Sequence, residues 1–333
     1  MESEVGIVGR SFCILFVLSA LTARGYAGQA QQDGGPESSP SDVKLKIRTR
    51  GGQSVFQIGE TIELELSFTS TDRKKYFVYD SNEAQPFPTE RIAAAPLLGW
   101  DNPLVDINQL CPTIIIQSIL SSTNFLSAKQ FVLGLELNQW IRFKAPGEYQ
   151  IAVQSQRAFM RNPKRLLTLR SNRLSLTIVP PETHWQEQTL NSAVSVLDKT
   201  DSAADLTWEQ RQARWHATSV VRNLGTPAAG REMAHRLQSE DLASYFLLGL
   251  IESPAREAAL EQMGGLLRDP DFPVSNRFLC AMALVALGPD RTAQTTDQKK
   301  ALEVGFRDEL RAALKDKRGK ALVESKKTAE VVE

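Results

Sequence analysis

Apolar and polar side chains alternate along the first half of the chain. In 43–48 and 62–68 every second residue is apolar, and the same alternation recurs in 149–153 and 174–178. Successive side chains of a β-strand point to opposite faces, so a period of two predicts half-buried strands. Several short strands separated by Gly, Pro and Asn turn signals predict an all-β sandwich over residues 43–180.

The period changes to about 3.6 residues after Pro180-Pro181, which predicts an all-α half over residues 181–315. The predicted helices are roughly Glu182–Leu197, Trp208–Leu224, Pro227–Leu237, Leu242–Ile251, Pro254–Leu267, Val274–Leu287 and Gln298–Leu314. Thr226-Pro227 and Ser253-Pro254 each place a hydroxyl at the N-cap and proline at the first helical position. These two starts lie 27 residues apart, a spacing that indicates helical hairpins repeated in tandem.

The middle of the first half departs from strict alternation. Residues 92–130 contain three consecutive alanines and a long apolar run, which together predict a long insertion between strands around 90–130. An insertion on a rigid scaffold is either a binding loop or plain decoration, and both interpretations stay open. Asp101, Asn102 and Asp106 offer oxygen donors, but they lack the spacing of a calcium loop, so we predict no metal site.

Two short motifs resemble known families of the sandwich fold. The segment 56–60, Phe-Gln-Ile-Gly-Glu, leads into the cleanest strand and resembles the opening of bacterial immunoglobulin-like domains. The segment 146–149, Pro-Gly-Glu-Tyr, resembles the turn near their end, where Tyr149 would act as a tyrosine corner. The resemblance implies an immunoglobulin-like fold and carries no activity with it.

One segment of the second half resembles the HEAT-repeat signature. Residues 266–274 contain Leu267, Asp269-Pro270-Asp271 and Val274, and an Ala/Leu-rich helix ending in Leu287-Gly288 follows. The resemblance implies HEAT-like repeats that stack as a short solenoid. The whole arrangement resembles uncharacterised bacterial exported proteins in which an immunoglobulin-like domain precedes helical repeats. Fold class is therefore predicted as an immunoglobulin-like sandwich followed by an all-α HEAT-like domain.

The two ends of the chain carry segments outside these domains. An apolar run, 12–23, has the length of the core of an export signal and is too short to span a bilayer. We expect residues 1–30 to be a signal peptide, with an uncleaved anchor as the alternative, and no stable membrane span after cleavage. Residues 31–42 are rich in Gln, Gly, Ser and Pro, which predicts a flexible leader. Residues 316–333 are predicted to be a charged, disordered tail.

Charge narrows the range of partners. The chain has 39 basic and 39 acidic residues, and this zero balance argues against a nucleic-acid binder, which relies on positive charge. Residues 43–179 carry 17 basic and 11 acidic side chains, a mild excess of positive charge. After signal cleavage Cys111 and Cys280 remain, one in each half, and we predict two buried free thiols rather than a disulfide.

The sequence contains none of the common catalytic or metal-binding motifs. His184, His216 and His235 do not form a close pair. We predict that His184 and His216 are partly buried packing residues and that His235 belongs to a polar face, 231–236. Trp185, Trp208 and Trp215 lie near the start of the helical half, either as an aromatic binding platform or as the apolar seam against the sandwich, and we favour the seam.

Three hypotheses for function follow. We expect a non-enzymatic exported protein of the cell envelope, periplasmic or extracellular, whose helical repeats bind another protein, since solenoids present extended surfaces. The first alternative is a protease inhibitor that presents sandwich loops, and the second is a hydrolase whose residues meet only in the fold. We predict no catalytic residues, metal ligands or cofactor, and the sequence leaves the binding residues and oligomeric state undetermined.

Overall fold

Strands fill the first half of the protein and helices the second. The computed structural model describes residues 40–80, 90–103, 122–201, 205–239, 242–251, 253–269, 272 and 275–287. Strands β1–β14 are Val43–Thr49, Val55–Gln57, Glu63–Ser70, Tyr76–Asp80, Glu90–Ala95, Trp100–Asp101, Ser122–Phe125, Phe131–Glu136, Arg142–Phe143, Gly147–Ser155, Ala158–Met160, Arg165–Leu166, Leu169–Arg170 and Leu174–Val179. Helices α1–α6 are Thr183–Asp201, Trp208–Leu224, Pro227–His235, Ala243–Ile251, Arg256–Arg268 and Asn276–Leu287. The predicted change of architecture near Pro180 is confirmed.

The strands form two main layers. The first layer has the antiparallel order β1-β3-β8. The second has the order β13-β10-β14-β2, in which β2 runs parallel to β14. Strand β5 also pairs with β10, along the edge opposite β14. A further sheet, β12-β11-β4-β7, extends the second layer because only Gln156 and Arg157 separate β10 from β11. A two-stranded pair, β6-β9, lies beside them.

A single apolar core joins the inner faces of these sheets. The alternation read in the sequence sets this core: in β1 the residues Val43, Leu45 and Ile47 are buried while Lys44 and Lys46 are exposed. Strand β10 buries every second residue in the same way, including Tyr149, Ile151 and Val153. Because both layers contribute to one cluster, the first half (40–179, hereafter the strand half) is one packed unit.

The insertion predicted around 90–130 is corrected at its start. Residues 90–95 form β5, which pairs with β10 over six residues, from Glu90 opposite Ser155 to Ala95 opposite Gln150. Alanines lack the branched side chains that are typical of strands, so no local pattern predicts a strand there. Strand β7 also lies within the predicted insertion, and residues 104–121 are outside the described residues.

Helix α2 shows how local sequence sets an element. Thr207 accepts a hydrogen bond from the backbone of Gln210, whose side chain accepts one from the backbone of Thr207. This reciprocal capping box starts the helix, and Gly225 in the left-handed region (φ 64°) ends it. The observed bounds, Trp208–Leu224, are those predicted from the sequence.

The two proline starts behave differently. Thr226 caps α3 as predicted, because its hydroxyl accepts from the backbone N–H of Ala229. The predicted start at Ser253-Pro254 is wrong, since α5 begins at Arg256. The Ser253 hydroxyl accepts from Ala255 N instead and so forms a turn ahead of the helix.

The remaining helical predictions differ at their ends. Helix α1 continues to Asp201, four residues beyond the predicted Leu197. The predicted helix Gln298–Leu314 lies outside the described residues. Among the helices that the structure describes, none is long and apolar enough to cross a membrane.

Candidate interaction surfaces

Helix α2 docks on the end of the strand half through a small polar joint. Ser219 Oγ donates to Glu136 Oε2 at 2.7 Å, and Asn223 Nδ2 donates to Glu136 Oε1 at 2.9 Å. Asn223 Nδ2 also lies 3.1 Å from Thr61 Oγ1. Glu136 stands directly opposite Glu63 across β3 and β8, so like charges face each other there. The two donors of α2 therefore satisfy both carboxylate oxygens of Glu136 at the contact between the halves.

A glycine permits this close docking. Gly59 has φ 89°, and a Cβ placed on it would lie 2.9 Å from the carbonyl oxygen of Leu224 and 3.1 Å from its Cα. Any side chain at this position would therefore collide with the backbone at the end of α2. The glycine of the Phe-Gln-Ile-Gly-Glu motif thus serves the contact between the halves.

Tyr245 closes the joint from the helical side. Its hydroxyl lies 3.1 Å from Ser219 Oγ, and burial raises its pKa, so the phenol stays protonated at neutral pH. Arg222 lies over the tyrosine ring at 4.7 Å, and Trp215 meets the ring edge-on with centroids 5.5 Å apart. Ser219 is only 6% exposed and is bonded to Glu136, so this group holds the two halves together and leaves a substrate no access to the hydroxyl.

Two tryptophans on α2 face solvent. Trp208 is 66% exposed and Trp215 is 51% exposed, and their spacing of seven residues places them on one side of the helix. The favoured prediction, an apolar seam against the strand half, is therefore wrong for both residues. Trp185 is partly buried and packs on the helical core instead. Hydrophobicity alone does not show burial, because much of any protein surface is apolar.

A second apolar feature is the loop between β5 and β6. Leu97 and Leu98 are 81% and 83% exposed at its tip. The loop is held at both ends: Trp100 Nε1 donates to Pro96 O at 2.8 Å, and Lys144 N donates to Gly99 O at 2.7 Å. Two adjacent leucines are thus presented to solvent on a well-supported loop, a feature that sequence analysis did not single out.

Tyr149 supports the same loop from below. Its hydroxyl donates to Ala145 O at 2.8 Å and lies 3.2 Å from Gly99 O. Burial raises the pKa of Tyr149, which keeps the hydroxyl protonated as a donor. The bond to a carbonyl four residues upstream confirms the predicted tyrosine corner.

A polar groove of about 670 Å³ lies between α1, α2 and α3. The buried Arg236 guanidinium forms ion pairs with Asp198, Asp201 and Glu232. Arg214 adds a second pair to Asp201 at 2.6 Å. Arginine thus meets every carboxylate of this network, which indicates a structural role in joining the three helices. The predicted polar face 231–236 is corrected at Arg236, which is 7% exposed.

The histidines lie apart from one another on the helical half. His184 and His216 are exposed, so the prediction that they are partly buried is wrong for both. His184 Nε2 lies 2.7 Å from Gln188 Nε2, and His216 Nδ1 lies 3.6 Å from Glu63 Oε1. His235 is exposed, as predicted for a polar face. The contacts of His184 and His216 are therefore contacts between side chains on the protein surface.

The other candidate ligands are placed only in part. Asp101 pairs with Lys144, whose Nζ lies 2.6 Å from Oδ2, while Asp106 and Cys111 lie outside the described residues. The side chain of Cys280 is not described either, so the thiol prediction stays a prediction. Within the described part of the chain, no three His, Cys, Asp or Glu side chains cluster closely enough for a metal ion.

Comparison with known proteins identifies no family. No family model matches the chain, and no curated protein matches it. Among solved structures, the native conformation of Escherichia coli alpha-2-macroglobulin aligns with 11% identity and a TM-score of 0.24. That alignment covers 88% of this chain but 22% of the macroglobulin, so the chain spans about a fifth of its length.

Proposed function

We propose that the protein is a non-enzymatic, exported protein-binding module of the cell envelope, with an immunoglobulin-like strand half and a HEAT-like helical half. The parallel pairing of β2 with β14 and the tyrosine corner of Tyr149 support the immunoglobulin-like assignment. Consecutive, mutually packed helices support the repeat assignment. The apolar run 12–23 is the support for export.

The exposure of Trp208 and Trp215 is the observation that carries this proposal. Tryptophan is enriched among residues that dominate binding energy, because it buries a large rigid area for little lost conformational freedom. Trp215 is also held in place by its edge-on contact with Tyr245, so part of the ordering cost is already met. A helix face that shows two large indoles to water is typical of a contact for another protein.

The test is affinity capture with matched variants, using the chain from Gln31 and an envelope extract of the source organism. We expect Trp208→Ala/Trp215→Ala to weaken binding of the captured partner by about 30-fold or more, since a hot-spot tryptophan contributes about 2 kcal/mol or more. Binding is measured by titration calorimetry with the purified partner.

The control removes exposed apolar side chains from the strand half. Val55 and Val132 are 49% and 43% exposed, so Val55→Ala/Val132→Ala is expected to leave the affinity unchanged. Equal weakening by both double variants, or none by the tryptophan variant, would contradict the proposed surface.

The loop of Leu97 and Leu98 favours one second candidate, a protease inhibitor. Inhibitors present an exposed loop on a rigid support, and this loop combines 81% and 83% exposure with hydrogen bonds at both ends. Ser219, by contrast, lends no support to a hydrolase, because its hydroxyl is enclosed in the joint.

The inhibitor hypothesis is tested by assaying the protein against a panel of proteases that cleave after leucine. We expect a stable complex burying about 1,600 Å² and a loss of inhibition of at least about 100-fold in Leu97→Glu/Leu98→Glu. The Val55→Ala/Val132→Ala variant serves again as the control. Absence of inhibition across the panel, or simple cleavage of the loop without a complex, rules the candidate out.

A further inference from the structure

The outer face of the sheet β12-β11-β4-β7 carries an unbroken apolar row. Residues directly opposite one another across its strands are Leu166, Phe159, Phe77 and Phe125, so all four side chains lie on one face. The opposite face of the same strands is the core side, where Tyr76 is fully buried. We call these four residues the aromatic row. It crosses four strands, a width of about 14 Å at the usual strand spacing.

The rings of the aromatic row contact one another directly. Phe77 and Phe159 stack with centroids 5.1 Å apart and planes at 11°, and Phe125 lies 4.0 Å from Phe77. Tyr79, the next residue on the same face of β4, stacks on Phe159 with centroids 4.8 Å apart. Phe77 and Phe159 therefore form a stacked pair in the middle of the row, and Phe125 is tilted 40° to Phe77 beside them.

The row remains accessible at both of its ends. Phe125 is 47% exposed and Leu166 is 54% exposed, and the rings between them are half-buried. Elsewhere on the outer face of the same layer most residues are small or polar, including Gln150 and Ser175, and Val55 on β2 is an exposed apolar exception. The change from polar to aromatic on one face marks this part as a contact surface, since monomers rarely expose contiguous apolar area without a use for it.

Positive charge borders the aromatic row. Arg161 lies over the ring of Phe125 at 5.9 Å, and Lys164 follows it in the turn between β11 and β12. Arg73 and Lys74 are exposed in the neighbouring turn between β3 and β4. The backbone bond from Arg161 N to Lys75 O, 2.9 Å long, holds the two turns together.

Acidic side chains only partly offset this border. Asp42 is engaged by Lys75 at 2.8 Å, and Asp72 is the acidic neighbour in the turn before β4. Four exposed cations in two adjoining turns thus edge an apolar face. Their complement is a surface that is apolar within and anionic at its boundary.

We propose that the aromatic row and these four cations bind the surface of an anionic lipid bilayer. Aromatic and leucine side chains reach the boundary between headgroups and acyl chains, while arginine and lysine contact the phosphates. Long side chains in exposed turns adjust to mobile headgroups without a fixed spacing, whereas an acidic protein would need carboxylates at matching positions. This surface is separate from the tryptophans of α2, so its test is independent of the proposed function.

The experiment is co-sedimentation with vesicles, using the chain from Gln31 so that the apolar run 12–23 does not contribute. Vesicles of equal parts phosphatidylglycerol and phosphatidylcholine are compared with pure phosphatidylcholine. We expect binding to the anionic vesicles alone, reduced at least about 25-fold in Arg161→Glu/Lys164→Glu, since each cation near the surface contributes about fivefold. Phe125→Ser/Leu166→Ser is expected to weaken binding without abolishing the dependence on phosphatidylglycerol.

The matched control changes charge by the same amount elsewhere. Lys44 and Lys46 are exposed on β1, in the other layer, and Lys44→Glu/Lys46→Glu is expected to bind like the original protein. Circular dichroism is used to check that each variant is folded. Absence of vesicle binding, or equal losses in the two charge variants, overturns the proposal. Binding of the original protein to polyglutamate but not to vesicles would also overturn it, by pointing to an acidic protein instead.

Discussion

Replacing Glu90 with alanine is expected to lower the free energy of unfolding of the strand half by about 3–5 kcal/mol. Glu90 is 1% exposed, and its carboxylate accepts from Arg157 Nε at 2.5 Å and Nη2 at 3.0 Å. Ser155 Oγ donates to the same carboxylate at 3.1 Å. Without Glu90, the nearly buried guanidinium would lose this carboxylate in a region where water cannot replace it.

A surface pair of the same residue types provides the comparison. Arg48 and Glu65 lie 2.6 Å apart, with the arginine side chain 70% exposed. Because solvent screens such pairs, Glu65→Ala is expected to cost less than about 1 kcal/mol. Urea denaturation followed by circular dichroism measures both variants.

The double variant Glu90→Leu/Arg157→Met separates the two contributions to this effect. Removing both charges leaves no buried guanidinium without the Glu90 carboxylate, so the cost should fall well below that of Glu90→Ala. If Glu90→Ala were no more destabilising than Glu65→Ala, the buried pair would not contribute as argued.

Sequence patterns predicted the elements whose local signals are complete. Strand β1 alternates residue by residue, and α2 has both a capping box at Thr207 and a glycine at 225, so their existence and the bounds of α2 were predictable. Strand β5 was missed because its alanines carry no strand signal, although pairing with β10 over six residues stabilises it. Tertiary contacts, rather than local propensity, determine the conformation of such segments.

The candidate surfaces were less predictable than the elements. The exposure of Trp208 and Trp215 depends on how α2 packs against the rest of the protein, which no local sequence pattern encodes. The aromatic row joins residues from 77 to 166 that become neighbours only through strand register. The Glu90–Arg157 pair likewise spans 67 positions. Its two members were present in the sequence, but nothing in their spacing indicated that they meet.

The tyrosine corner and the glycine of the Phe-Gln-Ile-Gly-Glu motif show the value of a motif whose physical reason is known. Tyr149 was predicted from the turn before it, and its hydroxyl bonds to Ala145 O as expected. Gly59 was part of a motif that indicated a fold, and the structure adds a second role for it at the contact between the halves.

Replacing Gly59 with alanine is expected to separate the helical half from the strand half while both stay folded. The substitution combines a positive φ of 89° with a Cβ 2.9 Å from the carbonyl oxygen of Leu224, and backbone at the end of a capped helix cannot yield as a flexible side chain would. If the end of α2 moves away, Asn223 and Ser219 lose their bonds to Glu136. The strain alone costs about 1–3 kcal/mol, and the lost joint adds to it.

Gly51 provides a control that separates backbone strain from the steric clash with Leu224. It has φ 77°, close to that of Gly59, but nothing lies within 4 Å of a Cβ placed on it. Gly51→Ala therefore carries the conformational cost without the contact. Hydrogen–deuterium exchange should show faster exchange along Trp208–Leu224 in Gly59→Ala and unchanged exchange there in Gly51→Ala. Equal exchange of α2 in the two variants would mean that Gly59 matters for its own turn alone, and that the halves do not depend on its close approach to Leu224.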